Sequence, residues 1–103
     1  MVIRGTTPTF HYTFKFATDF IADLRWSFRQ EGETLVDKKL KDVTMSDNKV
    51  SVKLTQEETL KFMAGVDLEI KMRILTTEGD VISTKPTVEK VEETYNEEIL
   101  ELK

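Results

Sequence analysis

Apolar and polar residues alternate along most of this chain, and this period of two constrains the fold more than any other feature. The apolar positions of the three longest runs are Phe10, Tyr12, Phe14 and Phe16; Ala22, Leu24, Trp26 and Phe28; and Val66, Leu68, Ile70, Met72 and Ile74. Successive side chains of a strand point to opposite faces, so each run predicts a strand with one buried face. The aromatic residues of the first two runs are therefore expected in the core.

Turn residues separate the runs at short intervals. Gly32 and Gly79 supply the positive φ that a hairpin turn needs. The weaker run Thr34–Leu40 contains few apolar residues and two lysines, which is typical of an edge strand. Pro86 has no N–H to donate and predicts a break or an edge before the segment Thr87–Val91.

One helical signal interrupts the strands. Thr55 and Glu58 have the spacing of a capping box, which predicts a helix of one or two turns ending near Gly65. Seven or eight short antiparallel strands with one helical crossover are expected. Two packed sheets would bury all of their apolar faces, so we predict an all-β fold, an immunoglobulin-like β-sandwich over residues 1–92. A small β-barrel is the alternative.

The composition limits the functions open to this chain. Its 103 residues are enough for one core, and it has no cysteine to form a disulfide or a thiolate metal site. The pI near 5.0 argues against nucleic acid as a partner, since phosphate binding needs surplus Lys and Arg. No apolar stretch approaches the roughly 18 residues of a membrane span, so no membrane partner is expected.

The negative charge is concentrated at the C-terminal end. Acidic and basic residues balance from Met1 to Val88, whereas Glu89–Lys103 carries six glutamates and two lysines and so holds the entire net charge of −4. We predict a separate acidic tail over residues 93–103, either helical or disordered. Its apolar residues recur at helical spacing, with glutamates between them, and those beyond the sandwich are candidate partner-docking residues. They are Tyr95, Ile99 and Leu102.

Other candidate sites are weak. His11 is the only histidine and has no identifiable nucleophile or carboxylate partner, so no catalytic residue is predicted. No metal-ligand spacing and no glycine-rich phosphate loop occur, and neither a cofactor nor a metal is expected. Arg25 and Arg29 lie on the polar face of the Trp26 strand and could contact phosphate, although nearby Asp23 favours a solvated face.

Three stretches together carry a family resemblance: Ile3–Thr9, Leu54–Leu60 and Leu68–Arg73. With them, and up to about Val91, the chain resembles a family of small proteins encoded in the tail regions of phages and prophages of Gram-positive bacteria. It is more distantly similar to the N-terminal β-sandwich of baseplate upper proteins, which attach receptor-binding parts to a phage tail. The acidic extension from about Glu92 departs from the family pattern.

The resemblance implies a structural role in the virion or in its assembly. We therefore expect a non-enzymatic interaction module in or near the tail or baseplate, with tail or baseplate subunits or further copies of itself as partners. It would be located in the virion, or in the host cytoplasm during assembly. The alternative is a carbohydrate-binding module for a cell-surface glycan, which requires exposed aromatic side chains.

Overall fold

The chain alternates between two antiparallel sheets, and a computed structural model describes this arrangement for residues 1–102. The strands and the single α-helix are short. They are β1 (Val2–Ile3), β2 (Thr9–Thr13), β3 (Ile21–Gln30), β4 (Glu33–Lys39), β5 (Thr44–Ser46), β6 (Lys49–Lys53), α1 (Gln56–Leu60), β7 (Leu68–Thr76), β8 (Val81–Ser83), β9 (Thr87–Glu89) and β10 (Val91–Glu92).

One sheet has three strands in the order β2-β6-β5, and the other has β4-β3-β7 with β8 and β9 both paired to the far side of β7. The chain changes sheets between β2 and β3, between β4 and β5, and through α1 between β6 and β7. The antiparallel β-sandwich with one short helical crossover is confirmed, and the described strands do not close into a barrel. The weak run beside β3 is an edge strand, as its lysines indicate.

Aromatic side chains from both sheets meet in the core. The ring of Phe10 on β2 lies 5.2 Å from that of Phe28 on β3, and Trp26 stacks at 6.3 Å from Phe28. Trp26 and Phe28 are buried, while Phe10 and Tyr12 are half-buried at the rim. Burying these rings removes a large apolar area from water, which is the main force that holds the two sheets together.

The alternation predicted for β3 places Ala22 on the buried face. This prediction is wrong, because Ala22 is exposed. The pairing of β3 with β7 shifts register between Ile21 and Asp23, so an irregularity reverses the alternation at this point. Ile21 then enters the core in place of Ala22. From Leu24 onward the alternation follows the sequence pattern.

The strand break predicted at Pro86 lies between β8 and β9. Both strands pair with β7, so they are two halves of one edge that is interrupted over residues 84–86. At the interruption, the backbone N–H of Thr84 donates to Met72 O at 2.9 Å, and the Thr84 hydroxyl accepts from Met72 N–H at 3.0 Å. The hydroxyl takes the place of a ladder carbonyl and keeps the backbone of β7 satisfied.

Ten strands form among residues 1–102 instead of the seven or eight expected, because the predicted segment Thr87–Val91 divides into β9 and β10 and because β1 was not predicted. The short pair is β1 with β10, which lie parallel with Val2 opposite Val91. Both valines are buried, so the pair closes the sandwich at the end near α1. No helix among residues 1–102 has the length and apolar character to cross a membrane.

Candidate functional site

The outward face of the five-stranded sheet, here called the outer face, carries a row of three cations. Arg25 on β3 is directly opposite Lys39 on β4 and Arg73 on β7, and Ser83 on β8 continues the row. Neighbouring strands are about 4.8 Å apart, so this cationic row spans about 10 Å. Like charges at directly opposite positions destabilise a sheet, and carboxylates placed beside them offset that repulsion.

Carboxylates on the outer face engage only some of its cations. Asp23 Oδ1 accepts from Arg25 Nη1 at 2.9 Å, and Glu69 Oε1 accepts from Arg29 Nε at 3.2 Å. A hydrogen bond from Leu24 N–H, together with the guanidinium of Arg25, lowers the pKa of Asp23 below its ordinary value. Asp23 is therefore charged at neutral pH and partly neutralises one end of Arg25.

The remaining cations of the outer face are available to a partner. Lys39, Lys71 and Arg73 form no ion pair with any residue between 1 and 102, and all three are exposed. Lys71 lies on β7 opposite Ser27, in the next row along the sheet. Arg25, Lys71 and Arg73 line a shallow depression of about 430 Å³ together with the carboxylates Asp37 and Glu69.

An apolar pair lies beside the cationic row. Leu75 on β7 is directly opposite Val81 on β8, with side chains 38% and 57% exposed. Both line a second depression together with Arg25 and Arg73. The outer face thus presents positive charge next to exposed apolar surface, a combination that suits a partner segment containing both carboxylates and apolar side chains.

The acidic tail crosses the other end of the molecule and is held there by Arg4. The side chain of Arg4 is only 13% exposed, and it donates to Phe62 O at 2.7 Å and to Leu60 O at 2.9 Å. It also forms ion pairs with Glu93 and, at 2.8 Å, with Glu97. Hydrogen bonds from Arg4 and from Thr94 N–H lower the pKa of Glu93. One nearly buried guanidinium therefore joins the N-terminal segment, the end of α1 and the tail.

Gln56 provides a second anchor for the tail. Its Oε1 accepts from Leu100 N–H and its Nε2 donates to Leu100 O, both at 2.9 Å. The side-chain amide thus binds the backbone of one tail residue as a neighbouring strand would. Two fixed points, at Arg4 and at Gln56, hold the tail against the body.

The three candidate docking residues do not form the predicted helical stripe. Residues 93–102 contain no helix, and the anchors at Arg4 and Gln56 hold this segment against the body. Tyr95 and Leu102 are fully exposed, whereas Ile99 is half-buried. Tyr95 and Leu102 are therefore accessible to a partner, as a docking role requires.

The other sequence candidates are also placed by the structure. His11 Nδ1 lies 2.6 Å from Ser51 Oγ at an exposed position on the three-stranded sheet. No carboxylate hydrogen-bonds to this pair among the described residues, so the third member of a triad is not in place there. Within residues 1–102, no group of three or more potential ligand side chains is placed to hold a metal ion.

Sequence reasoning identified Arg25 and Arg29 but missed Lys39, Lys71 and Arg73 as members of the same surface. The alternation of β7 does place Lys71 and Arg73 on its polar side. Only the register between strands shows that Arg73 lies opposite Arg25, and the sequence pattern does not specify that register. Arg4 was noted only as part of a motif, and no local signal shows that it binds the tail.

Comparison with known proteins adds no assignment, since no family model and no curated protein matches the sequence.

Proposed function

We propose that this chain is a non-enzymatic structural and interaction module of phage or prophage origin, working in or beside the tail or baseplate. The observation that carries the interaction role is the outer face, where the cationic row adjoins the exposed pair Leu75 and Val81. The origin in a phage tail rests on the resemblance of Ile3–Thr9, Leu54–Leu60 and Leu68–Arg73 to the tail-region family.

The geometry of the outer face suits binding by surface complementarity. Its side chains project from a sheet whose backbone is already ordered, so little backbone entropy is lost when a partner docks. The depression beside Arg25 is shallow and continuous with the sheet surface, as in a contact between two proteins. Charges around the rim would guide an acidic partner and fix its register.

The partners in this proposal are tail or baseplate subunits or further copies of the chain. The module would be present in the virion, or in the host cytoplasm while particles are assembled. Mass spectrometry of particles purified from a producing strain tests the location. We expect the chain at a constant ratio to the major tail proteins, and its reproducible absence from both particles and assembly intermediates would overturn the proposal.

A charge reversal tests whether the outer face is the surface used. In the variant Arg25→Glu/Arg73→Glu we expect the amount of chain in particles to fall at least about tenfold, because an acidic partner would be repelled. The matched control is Lys49→Glu/Lys53→Glu, which changes the net charge equally at exposed positions on the three-stranded sheet. Equal incorporation of both variants would contradict the assignment of the outer face.

The glycan-binding alternative depends on the rim of the sandwich. Half-buried Phe10 and Tyr12 line a cleft of about 210 Å³ with His11 and Trp26, although Trp26 is itself buried. A glycan module would use the ring of Tyr12 as a stacking surface. Binding on a glycan array that is lost in Tyr12→Ala and kept in Arg25→Glu would favour this alternative over the protein-interaction role.

A further inference from the structure

We infer that the acidic tail of one copy docks on the outer face of a second copy, so that the chain associates head to tail with itself. This inference rests on the proposed interaction role and names both its partner and its surfaces. The tail and the cationic row do not contact each other within residues 1–102 of one chain. None of the tail's hydrogen bonds or ion pairs among residues 1–102 reaches the outer face.

Charge complementarity is the first argument. The tail has four glutamates and one lysine, a net charge of −3, while residues 1–92 together carry only −1. Arg4 engages Glu93 and Glu97, but Glu98 and Glu101 are exposed and pair with no cation in the described part of the chain. Arg73, Lys39 and Lys71 are the unpaired cations of the outer face and are the natural partners for these carboxylates.

Apolar complementarity is the second argument. The tail exposes Tyr95, Leu100 and Leu102 among its glutamates. The outer face exposes Leu75 and Val81 beside Arg25 and Arg73. Each surface therefore combines charge with uncovered apolar area, and docking would remove both apolar surfaces from water while pairing the charges.

The attachment of the tail to its own body is the third argument. Arg4 and Gln56 fix the tail at Glu93, Glu97 and Leu100, so the backbone between these points, which includes Glu98, is already held in place. A pre-ordered segment loses less conformational entropy on docking than a disordered one. Because the tail and the outer face are different surfaces, the contact can close as a reciprocal dimer, in which each tail lies on the other copy's face, or continue from copy to copy into rings or filaments.

The oligomeric state of the full chain gives the first test. Light scattering and sedimentation across a range of concentrations should show association that weakens with added salt, because the contact contains charge pairs. Arg25→Glu/Arg73→Glu and Glu98→Lys/Glu101→Lys should each weaken association by about tenfold or more. The control Lys49→Glu/Lys53→Glu should associate like the unmodified chain, and circular dichroism should show that all variants are folded.

Mixing the two reversed variants gives the decisive test. Arg25→Glu/Arg73→Glu has an acidic outer face and an acidic tail. Glu98→Lys/Glu101→Lys has a basic outer face and a basic tail. Neither should self-associate, but together each tail finds a face of opposite charge, so the mixture should form assemblies. A mixture that stays monomeric, or an unmodified chain that is monomeric at every concentration, would overturn the inference.

The outcome separates this inference from the proposed function. If the unmodified chain is monomeric yet present in purified particles and lost from them in Arg25→Glu/Arg73→Glu, the outer face binds another protein and only the self-association fails. If the chain is absent from particles but self-associates through tail and face, the inference holds and the location in the tail fails.

Discussion

The side-chain amide of Gln30 pairs with the backbone of Met63 through two hydrogen bonds. Gln30 Oε1 accepts from Met63 N–H at 2.7 Å, and Nε2 donates to Met63 O at 2.9 Å and to Val66 O at the same distance. Gln30 is only 1% exposed although it ends a strand beside a hairpin turn. It binds the loop between α1 and β7 to the end of β3.

Replacing Gln30 with Leu should lower the free energy of unfolding by about 2–3 kcal/mol, because the loop backbone would lose three hydrogen bonds in a buried position. Denaturant unfolding followed by Trp26 fluorescence measures the change. The control is Gln56→Leu, whose hydrogen bonds are exposed and hold only the tail, so it should cost less than about 1 kcal/mol. Equal losses in the two variants would contradict this role for Gln30.

Arg4→Ala should release the tail while leaving the sandwich folded. Without the guanidinium, Glu93 and Glu97 lose their cation, and the carbonyls of Leu60 and Phe62 lose a donor. Hydrogen exchange should accelerate across residues 93–100 by tenfold or more, by an order-of-magnitude estimate for the loss of charged hydrogen bonds. Arg4→Lys should restore only part of the protection, since an ammonium cannot reproduce the fork geometry of the guanidinium.

Acidification should detach the tail at Glu93. The hydrogen bond from Arg4, and then that from Thr94 N–H, lower the pKa of Glu93 in the folded state from its ordinary value of 4.5. Its contribution to tail attachment is thus complete above pH 4.5 and is lost as the pH falls through the lowered pKa. The amide of Thr94 reports this step in an NMR titration, because it donates to Glu93 Oε1 at 3.0 Å. The variant Glu93→Gln should show no such step.

Glu31→Asn should stabilise the sandwich. Glu31 and Gly32 connect β3 to β4 with φ values of 50° and 81°, so both central residues of this two-residue turn have left-handed backbone. Asn adopts that conformation more readily than Glu, and Asn-Gly is the preferred pair for such hairpins. We expect a gain of about 0.5–1 kcal/mol in the free energy of unfolding. A loss of stability, or a gain of similar size in Glu33→Asn, would contradict the turn argument.

The parts of the fold that the sequence predicted correctly depend on interactions between residues close together in the chain. The capping box is formed as expected, with Thr55 Oγ1 accepting from Glu58 N–H at 3.2 Å and Glu58 Oε1 accepting from Thr55 N–H at 2.8 Å. The Gly32 turn and the edge position of β4 also follow from residue type and spacing. Each of these depends on residues within a few positions of one another, so the sequence pattern contains the information.

The features that escaped prediction depend on contacts between distant segments. Gln30 is polar, and only a loop more than 30 residues away makes its burial favourable. The tail is non-helical and is held by Arg4 and Gln56, whereas its spacing of apolar residues predicts a helix. Ala22 is exposed because the register with β7 shifts near it. The outer face was only half recognised for the same reason, since its cationic row exists only once β3 and β7 are in register.

The parallel pairing of β1 with β10 has a consequence for how the sandwich forms during synthesis. Val2 cannot reach Val91 until nearly ninety residues of intervening chain have been made, so the final closure must follow the translation of β10. Until then, β1 and the core residues next to α1 remain exposed to solvent while the chain is on the ribosome. The hairpin around Gly32 can form early, while the closed sandwich arises only after β10 has been translated.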